Sequence, residues 1–302
     1  MFYHDKQLQY KVRVDKPNPV FARMLQQAIG GIEGEIRVCL QYLFQAWGSR
    51  GPVKYRDMLL ETGTEEIAHI EMLATAVALN LEGAPVSMKD EFAKDSVVGA
   101  VMGGMDARHI LSAGMAAMAT DANGVPFNGS WIVGTGNIAA NMMANVHAES
   151  SGRVLATRLW EMTDDPGMKD FLAFLIARDT MHQNQWLAVI EELGGVKAAF
   201  PIPNSFPQSE EVQGFNYSFV STNIAGDSQA MGRWSQGPAI DGKGEFKFVK
   251  AEPLGGEPML GPPDPRGHAQ TEEMMGNPMA NPMGNTSGGI SGIVDKVKDA
   301  LD

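Results

Sequence analysis

Apolar residues recur at steps of three and four in four long stretches of this chain, the signature of helices with one buried side. The first stretch runs from about Pro19 to Trp47 as one helix, with Leu25, Ala28, Ile32, Ile36, Cys39, Leu43 and Trp47 in its stripe. The second runs from about Pro52 to Leu81, striped by Tyr55, Leu59, Thr62, Leu73 and Ala76. The third begins near Gly136 and stops before the break Asp164-Asp165-Pro166. The fourth runs from about Gly167 to Leu193, carries Met168, Phe171, Leu175, Trp186 and Val189, and ends at Gly194-Gly195. Between the second and third, residues 88–120 read as helical and 121–131 (DANGVPFNGSW) as loop.

After Phe200 the periodicity fades. PIPNSFPQ reads as a linker and FNYSFVSTN as a short extended segment, while residues 253–289 are dense in Pro, Gly and Met. Such a composition forms no core of its own. Ile290, Ile293, Val294, Val297 and Leu301 predict a terminal amphipathic helix that needs a surface to cover. The expected organisation is an all-α body over residues 1–200 and an extended, mostly irregular arm over 201–302, wrapped on the body or on a neighbouring subunit.

Each of the four stripes is interrupted by groups that do not belong in an apolar core. Glu35 interrupts the first, Glu66 and His69 the second, Glu149 the third, and Asp179 and His182 the fourth. A single Glu-x-x-His pair arises often by chance, but an unpaired buried carboxylate is costly, and here the anomaly occurs in four helices. The spacings repeat: Glu35 to Glu66 is 31 residues and Glu149 to Asp179 is 30, while Glu35 to His69 is 34 and Glu149 to His182 is 33. The chain therefore holds two copies of "acid on one helix, acid-x-x-His on the next". Residues at i and i+3 share a helix face, so antiparallel packing aims all these groups at one axis. That is the di-metal pattern of a ferritin-like four-helix bundle. A site of carboxylates and two imidazoles suits manganese or iron and does not separate them.

Composition narrows the classes further. The 302 residues are 44% hydrophobic, enough to bury a substantial core, and the formal charge of −12 argues against nucleic acid and anionic membrane surfaces. The lone Cys39 excludes an intrachain disulfide and thiolate clusters. The opening MFYHDKQLQYKVRVD lacks a signal-peptide core, and no apolar run reaches a membrane span, so a cytoplasmic protein is expected.

The stretches GGIEGEIRVCLQYLFQ, TEEIAHIEML, FNGSWIVGTGNIAANMMANVHAES and RLWEMTDDPGMKDFLAFLIARDTMHQ resemble the non-haem manganese catalases. The likeness covers residues 20–195 well and extends more loosely into the tail. It implies that a manganese pair disproportionates hydrogen peroxide to water and dioxygen, cycling between Mn(II)₂ and Mn(III)₂. By position, Glu35 and His69 would hold one ion, Glu66 and Glu149 would bridge, and His182 would hold the second. Tyr42, on the face of Glu35, would donate a hydrogen bond to the centre. Some relatives have Glu at the position of Asp179, an acid that can manage protons; the shorter Asp puts its reach in doubt. Some also carry Arg where this chain has Ala148, and Arg153 is no assured substitute. The resemblance further implies a hexamer.

On the opposite face of the second helix, Asp57 and Glu61 lie one turn apart, half a revolution from Glu66. Family members can hold calcium there with a later Asn-x-Ser segment, for which this chain offers Asn216 and Ser218, oxygen ligands suited to that ion. Two other readings use the same bundle: a di-iron oxidase or peroxidase, and a structural shell protein without turnover. Metal analysis separates the first from a manganese catalase, and oxygen evolution from peroxide separates the second.

Overall fold

The computed structural model describes residues 3–84 and 105–260. Five long helices build it: α1 (Pro19–Gly30), α2 (Glu35–Gly48), α3 (Val53–Leu81), α4 (Ile138–Glu161) and α5 (Pro166–Glu192). Side-chain caps mark three of the starts. Asn18 accepts from the Val20 and Phe21 amides, Asn137 from Ala140, and Asp165 from Met168, just ahead of a proline at the first helical position.

The single first helix expected over Pro19–Trp47 is two helices, α1 and α2. The interruption falls at Gly31–Gly34, where Gly30, Gly31 and Gly34 crowd into five residues and each is a poor helix former. Gly30 is also where another segment packs: a β-carbon there would lie 2.5 Å from the Thr120 backbone nitrogen. Gln26 ties down that same segment, accepting from the Met118 amide and donating to the Met118 and Thr120 carbonyls. Gly30→Ala is therefore expected to destabilise the fold by about 1–3 kcal/mol, read as a lower urea midpoint at unchanged slope.

The break also re-aims the stripe. Leu25, Ala28, Cys39 and Leu43 are buried, whereas Ile32 and Trp47, expected inside, are exposed. Residues 105–120 are mostly irregular rather than helical, with one helical turn at Arg108–Leu111; the rest of the helix expected over 88–120 lies outside the described residues.

Helix α2 packs chiefly on α3, and α4 on α5. The short connections within each pair make antiparallel hairpins. Their apolar faces form two clusters: Leu25, Met72, Leu73, Phe171 and Leu175 belong to one, Tyr42, Leu59, Met142 and Trp186 to the other. The polar groups of the four stripes fall between these clusters, along α3 between Leu59 and Leu73 and along α5 between Leu175 and Trp186.

Ahead of α1 the chain is extended. Leu8, Tyr10, Val12 and Val14 alternate with exposed residues and pack against the first cluster. Beyond α5, β1 (Ser218–Ser221), β2 (Gly237–Pro238) and β3 (Glu245–Lys250) form a small sheet in the order β1-β3-β2, with β2 and β3 antiparallel. The extended segment expected near FNYSFVSTN is thus present as β1. Val220–Gln229, with the residues that follow Phe248, separates as a second compact unit from Met1–Phe219 with Ala230–Phe248. Residues 251–260 carry no helix or strand and are exposed; the expected terminal amphipathic helix lies outside the described residues.

Candidate metal centre

All six interrupting groups converge in the gap between the two apolar clusters. Glu35 is the first residue of α2, where its charge meets the positive end of the helix dipole. Glu66 and His69 project from the middle of α3, Glu149 from α4, and Asp179 and His182 from α5. Glu66, His69, Glu149, Asp179 and His182 are buried, with Glu66 and His182 each 1% exposed.

The ligand atoms form two triads. Glu35, Glu66 and His69 can each offer one atom to a common ion, as can Glu66, Glu149 and His182, the atoms of each triad lying within 4.8 Å of one another. Glu66 belongs to both. Its carboxylate lies 2.7 Å from His69 Nδ1 and 3.0 Å from His182 Nδ1, so both rings present Nδ1 to it. His182 Nδ1 also stands 3.4 Å from Glu149, and His69 Nδ1 3.8 Å from Glu35. The imidazoles are stacked with their planes 26° apart and their centroids 5.9 Å apart.

The fit of this cluster to a metal pair can be tested on its own atoms. Both Glu66 oxygens and the Nδ1 atoms of His69 and His182 are buried with no hydrogen-bond partner. Native interiors rarely leave such groups unsatisfied. Cations at the two triads would satisfy all four atoms at once.

The electrostatics agree. Burial, and then the charge of Glu66, pushes the Glu35 carboxyl up to about 7. Burial raises Glu149 and Asp179 as well; for Asp179 the neighbouring charges of Glu35, Glu149 and Glu66 add to it. Burial also works against ionisation of Glu66, but the two imidazoles outweigh it and hold the group down at about 2. Cys39 takes no part: its thiol donates to the Gly63 carbonyl and is pushed up to about 12, first by burial and then by Glu66 and Glu35.

Tyr42 donates a hydrogen bond to Glu149, and its ring packs against Trp186 at 4.9 Å. A buried amide clamp lies one turn earlier on α4. Asn145 exchanges hydrogen bonds with Gln45 and accepts from Gln41, fixing α2 to α4 beside Glu149. Ala148 is buried, and the Arg153 guanidinium donates to the Thr180 hydroxyl.

The sequence reading missed Glu65. Its carboxylate lies on the outer side of both rings, 3.3 Å from His182 Nε2 and 3.6 Å from His69 Nε2. Arg178 grips it through Nε at 2.7 Å and Nη2 at 3.1 Å, and Gln9 donates to it at 2.8 Å. Burial pushes the Glu65 carboxyl up, but its contacts to His182, His69, Arg178 and Gln9 win and hold it far below the usual carboxylate range. A carboxylate hydrogen-bonded behind a metal-binding histidine fixes the ring's orientation and raises its basicity; Glu65 is within that reach of His182, while His69 Nε2 lies just beyond it and has no hydrogen-bond partner.

Asp57 and Glu61 are exposed on α3, facing away from the centre as expected. Among the described residues they join no cluster of three or more ligating His, Cys, Asp or Glu side chains. The Asn216 amide nitrogen donates to Glu211, and the Ser218 hydroxyl donates to the Gly214 carbonyl.

Four helices converging acids and two histidines on one buried axis define a ferritin-like helical bundle with two candidate metal-holding groups. The chain belongs to the manganese-containing catalase family, whose profile matches residues 1–282. The chain is 45% identical over 269 residues to a manganese catalase of Bacillus subtilis, covering 89% of this chain and 97% of that one. It is 38% identical over 268 residues to a manganese catalase of Lactiplantibacillus plantarum, covering 89% and 98%. The fold is similar to that of KatB, a manganese catalase from Anabaena, with a TM-score of 0.67 at 24% identity, covering 82% of this chain and 99% of that one. No helix among the described residues is long and apolar enough to cross a membrane.

Proposed function

We propose that this chain disproportionates hydrogen peroxide to water and dioxygen at a pair of manganese ions, two per subunit, held by Glu35, Glu66, His69, Glu149 and His182. The observation that carries the reading is Glu66, a buried carboxylate shared by both triads with neither oxygen satisfied. When bound, a manganese pair supplies two electrons to one peroxide and recovers them from the next.

The chain's own residues set the terms of that chemistry. Glu66, shared by both triads, and Glu149, in one of them, would be among the carboxylates that hold the pair, and Tyr42 donates its hydroxyl to Glu149. Glu65 holds the His182 ring with Nδ1 facing inward and lies behind His69 as well. Asp179, kept protonated more readily than an ordinary carboxyl by burial and by its acidic neighbours, is suited to give and take the protons each half-reaction requires. The two apolar clusters flank the site on either side along the helices.

Three further assignments belong to this reading. Calcium at Asp57, Glu61, Asn216 and Ser218 is supported by ligand chemistry, since all four offer hard oxygens. A hexamer and a cytoplasmic location rest on the family resemblance. The deciding experiment is elemental analysis of the purified protein beside an oxygen-electrode assay with peroxide. Stoichiometric manganese with oxygen release is the expected result; iron in its place, or manganese without oxygen release, overturns it.

A further inference from the structure

The extended segment ahead of α1 does more than close the hydrophobic core. It crosses α3 and α5 at the level of the histidines, on the side away from the triads. Two of its neighbouring residues each reach the metal centre through one intermediary. The Gln9 side-chain amide donates to Glu65 at 2.8 Å, and Glu65 backs both imidazoles. The Tyr10 ring lies flat on Phe174, centroids 4.4 Å apart and 4° from parallel. Phe174 in turn meets His69 edge to face at 6.4 Å. A cavity of about 580 Å³ opens at this spot, with Gln9, Glu65, Phe174 and Arg178 in its walls.

We propose that the N-terminal strap is a working part of the metal centre, with Gln9 and Tyr10 acting as positioning residues for the paired histidines. The inference rests on the reading that His69 and His182 hold metal. Glu65 is the link between the strap and the rings. Its oxygens receive Arg178 from α5 and the His182 ring, stand 3.6 Å from His69 Nε2, and line the cavity. Arg178 alone could swing with Glu65 as a pair, because both side chains are partly exposed. Gln9 enters from a third, independent segment and removes that freedom. Tyr10 does the same for His69, since Phe174 tilts only if the ring stacked on it gives way.

The strap is anchored for this duty. Tyr10 donates to Asp170 at 3.1 Å, and Lys11 pairs with the same carboxylate at 2.9 Å. Further along, Asp165 accepts from the Asp15 and Lys16 amides. Asp165 also caps α5, so the strap is registered to the helix that carries Phe174, Arg178 and His182.

The test uses full-length, manganese-loaded protein and follows manganese loss to excess chelator. Native protein that carries no manganese would refute the proposed function itself, before the strap is at issue. With native loading established, Gln9→Ala and Tyr10→Ala are expected to release manganese about threefold to tenfold faster. That is below the roughly 10–100-fold change seen for groups that touch metal ligands directly. Tyr10→Phe keeps the stack on Phe174, loses only the bond to Asp170, and should release at the native rate. The electron paramagnetic resonance signal of the reduced pair should shift in Gln9→Ala at an unchanged melting temperature. Native release rates in both alanine variants would overturn the proposal. So would Tyr10→Phe releasing as fast as Tyr10→Ala, because the strap would then act only as an anchor.

Discussion

Glu66→Ala is expected to yield a folded chain that retains little manganese and evolves oxygen from peroxide more than about 100-fold more slowly. That exceeds the upper end for groups that merely contact metal ligands. Glu66 is the one carboxylate common to both triads, so its loss strips an oxygen from each. The fold should survive at reduced stability, because the two apolar clusters hold the helices together while the carboxylate that both imidazoles face is lost. Circular dichroism and melting check the fold; metal content and the oxygen electrode check the site. His182→Ala should behave alike, with the loss centred on the triad shared with Glu149. A Glu66→Ala protein carrying a full complement of manganese and native activity removes Glu66 from the ligand set.

The centre was legible because its residues violate the pattern around them. Glu66, His69, Glu149 and His182 stand where helical periodicity demands apolar side chains, and burial there is what the periodicity reports. What escaped depends on contacts between distant segments. Glu65 reads as an ordinary solvated acid beside Glu66, and its partner Arg178 is 113 residues away. A signal did exist: Glu65 lies four residues before His69 and Arg178 four before His182, one turn back on each helix. The strap carried a signal as well, the alternation of Leu8, Tyr10, Val12 and Val14, obscured by the polar residues between them.

The break in the first helix was missed for a different reason. Three glycines weaken a helix without ending it, and the decisive event is the close approach of Thr120 to Gly30. Trp47 shows the complementary limit. It fits the stripe by spacing, yet lies exposed with its ring edge against Phe44. Periodicity finds an apolar face and does not say which surface that face meets.

Chelating the manganese is expected to lower the melting temperature, and the gap between loaded and stripped protein should widen as pH rises from 4.5 to 7. The sign follows from Glu35. Its carboxyl titrates near 4.5 ordinarily and is pushed up to about 7 in the folded chain, by burial first and by Glu66 second. A raised carboxyl contributes stability that is fully present below its unfolded value and is lost as pH climbs through the folded one. For Glu35 alone that loss is about 3 kcal/mol across the window. Glu149 and Asp179 are raised too and push the same way. Glu66, held down at about 2, loses its contribution only in stronger acid and so leaves this window alone. Bound metal reverses the trend, because it requires ionised carboxylates and neutral imidazoles and is itself displaced by protons. The widening should be roughly 5–10 °C for a chain of this size. Calorimetry of loaded and chelator-treated protein at pH 5, 6 and 7 makes the measurement. Glu35→Gln, which cannot ionise, should flatten the slope of the stripped protein. Parallel slopes for loaded and stripped native chain would mean that Glu35 does not share a site with the metal.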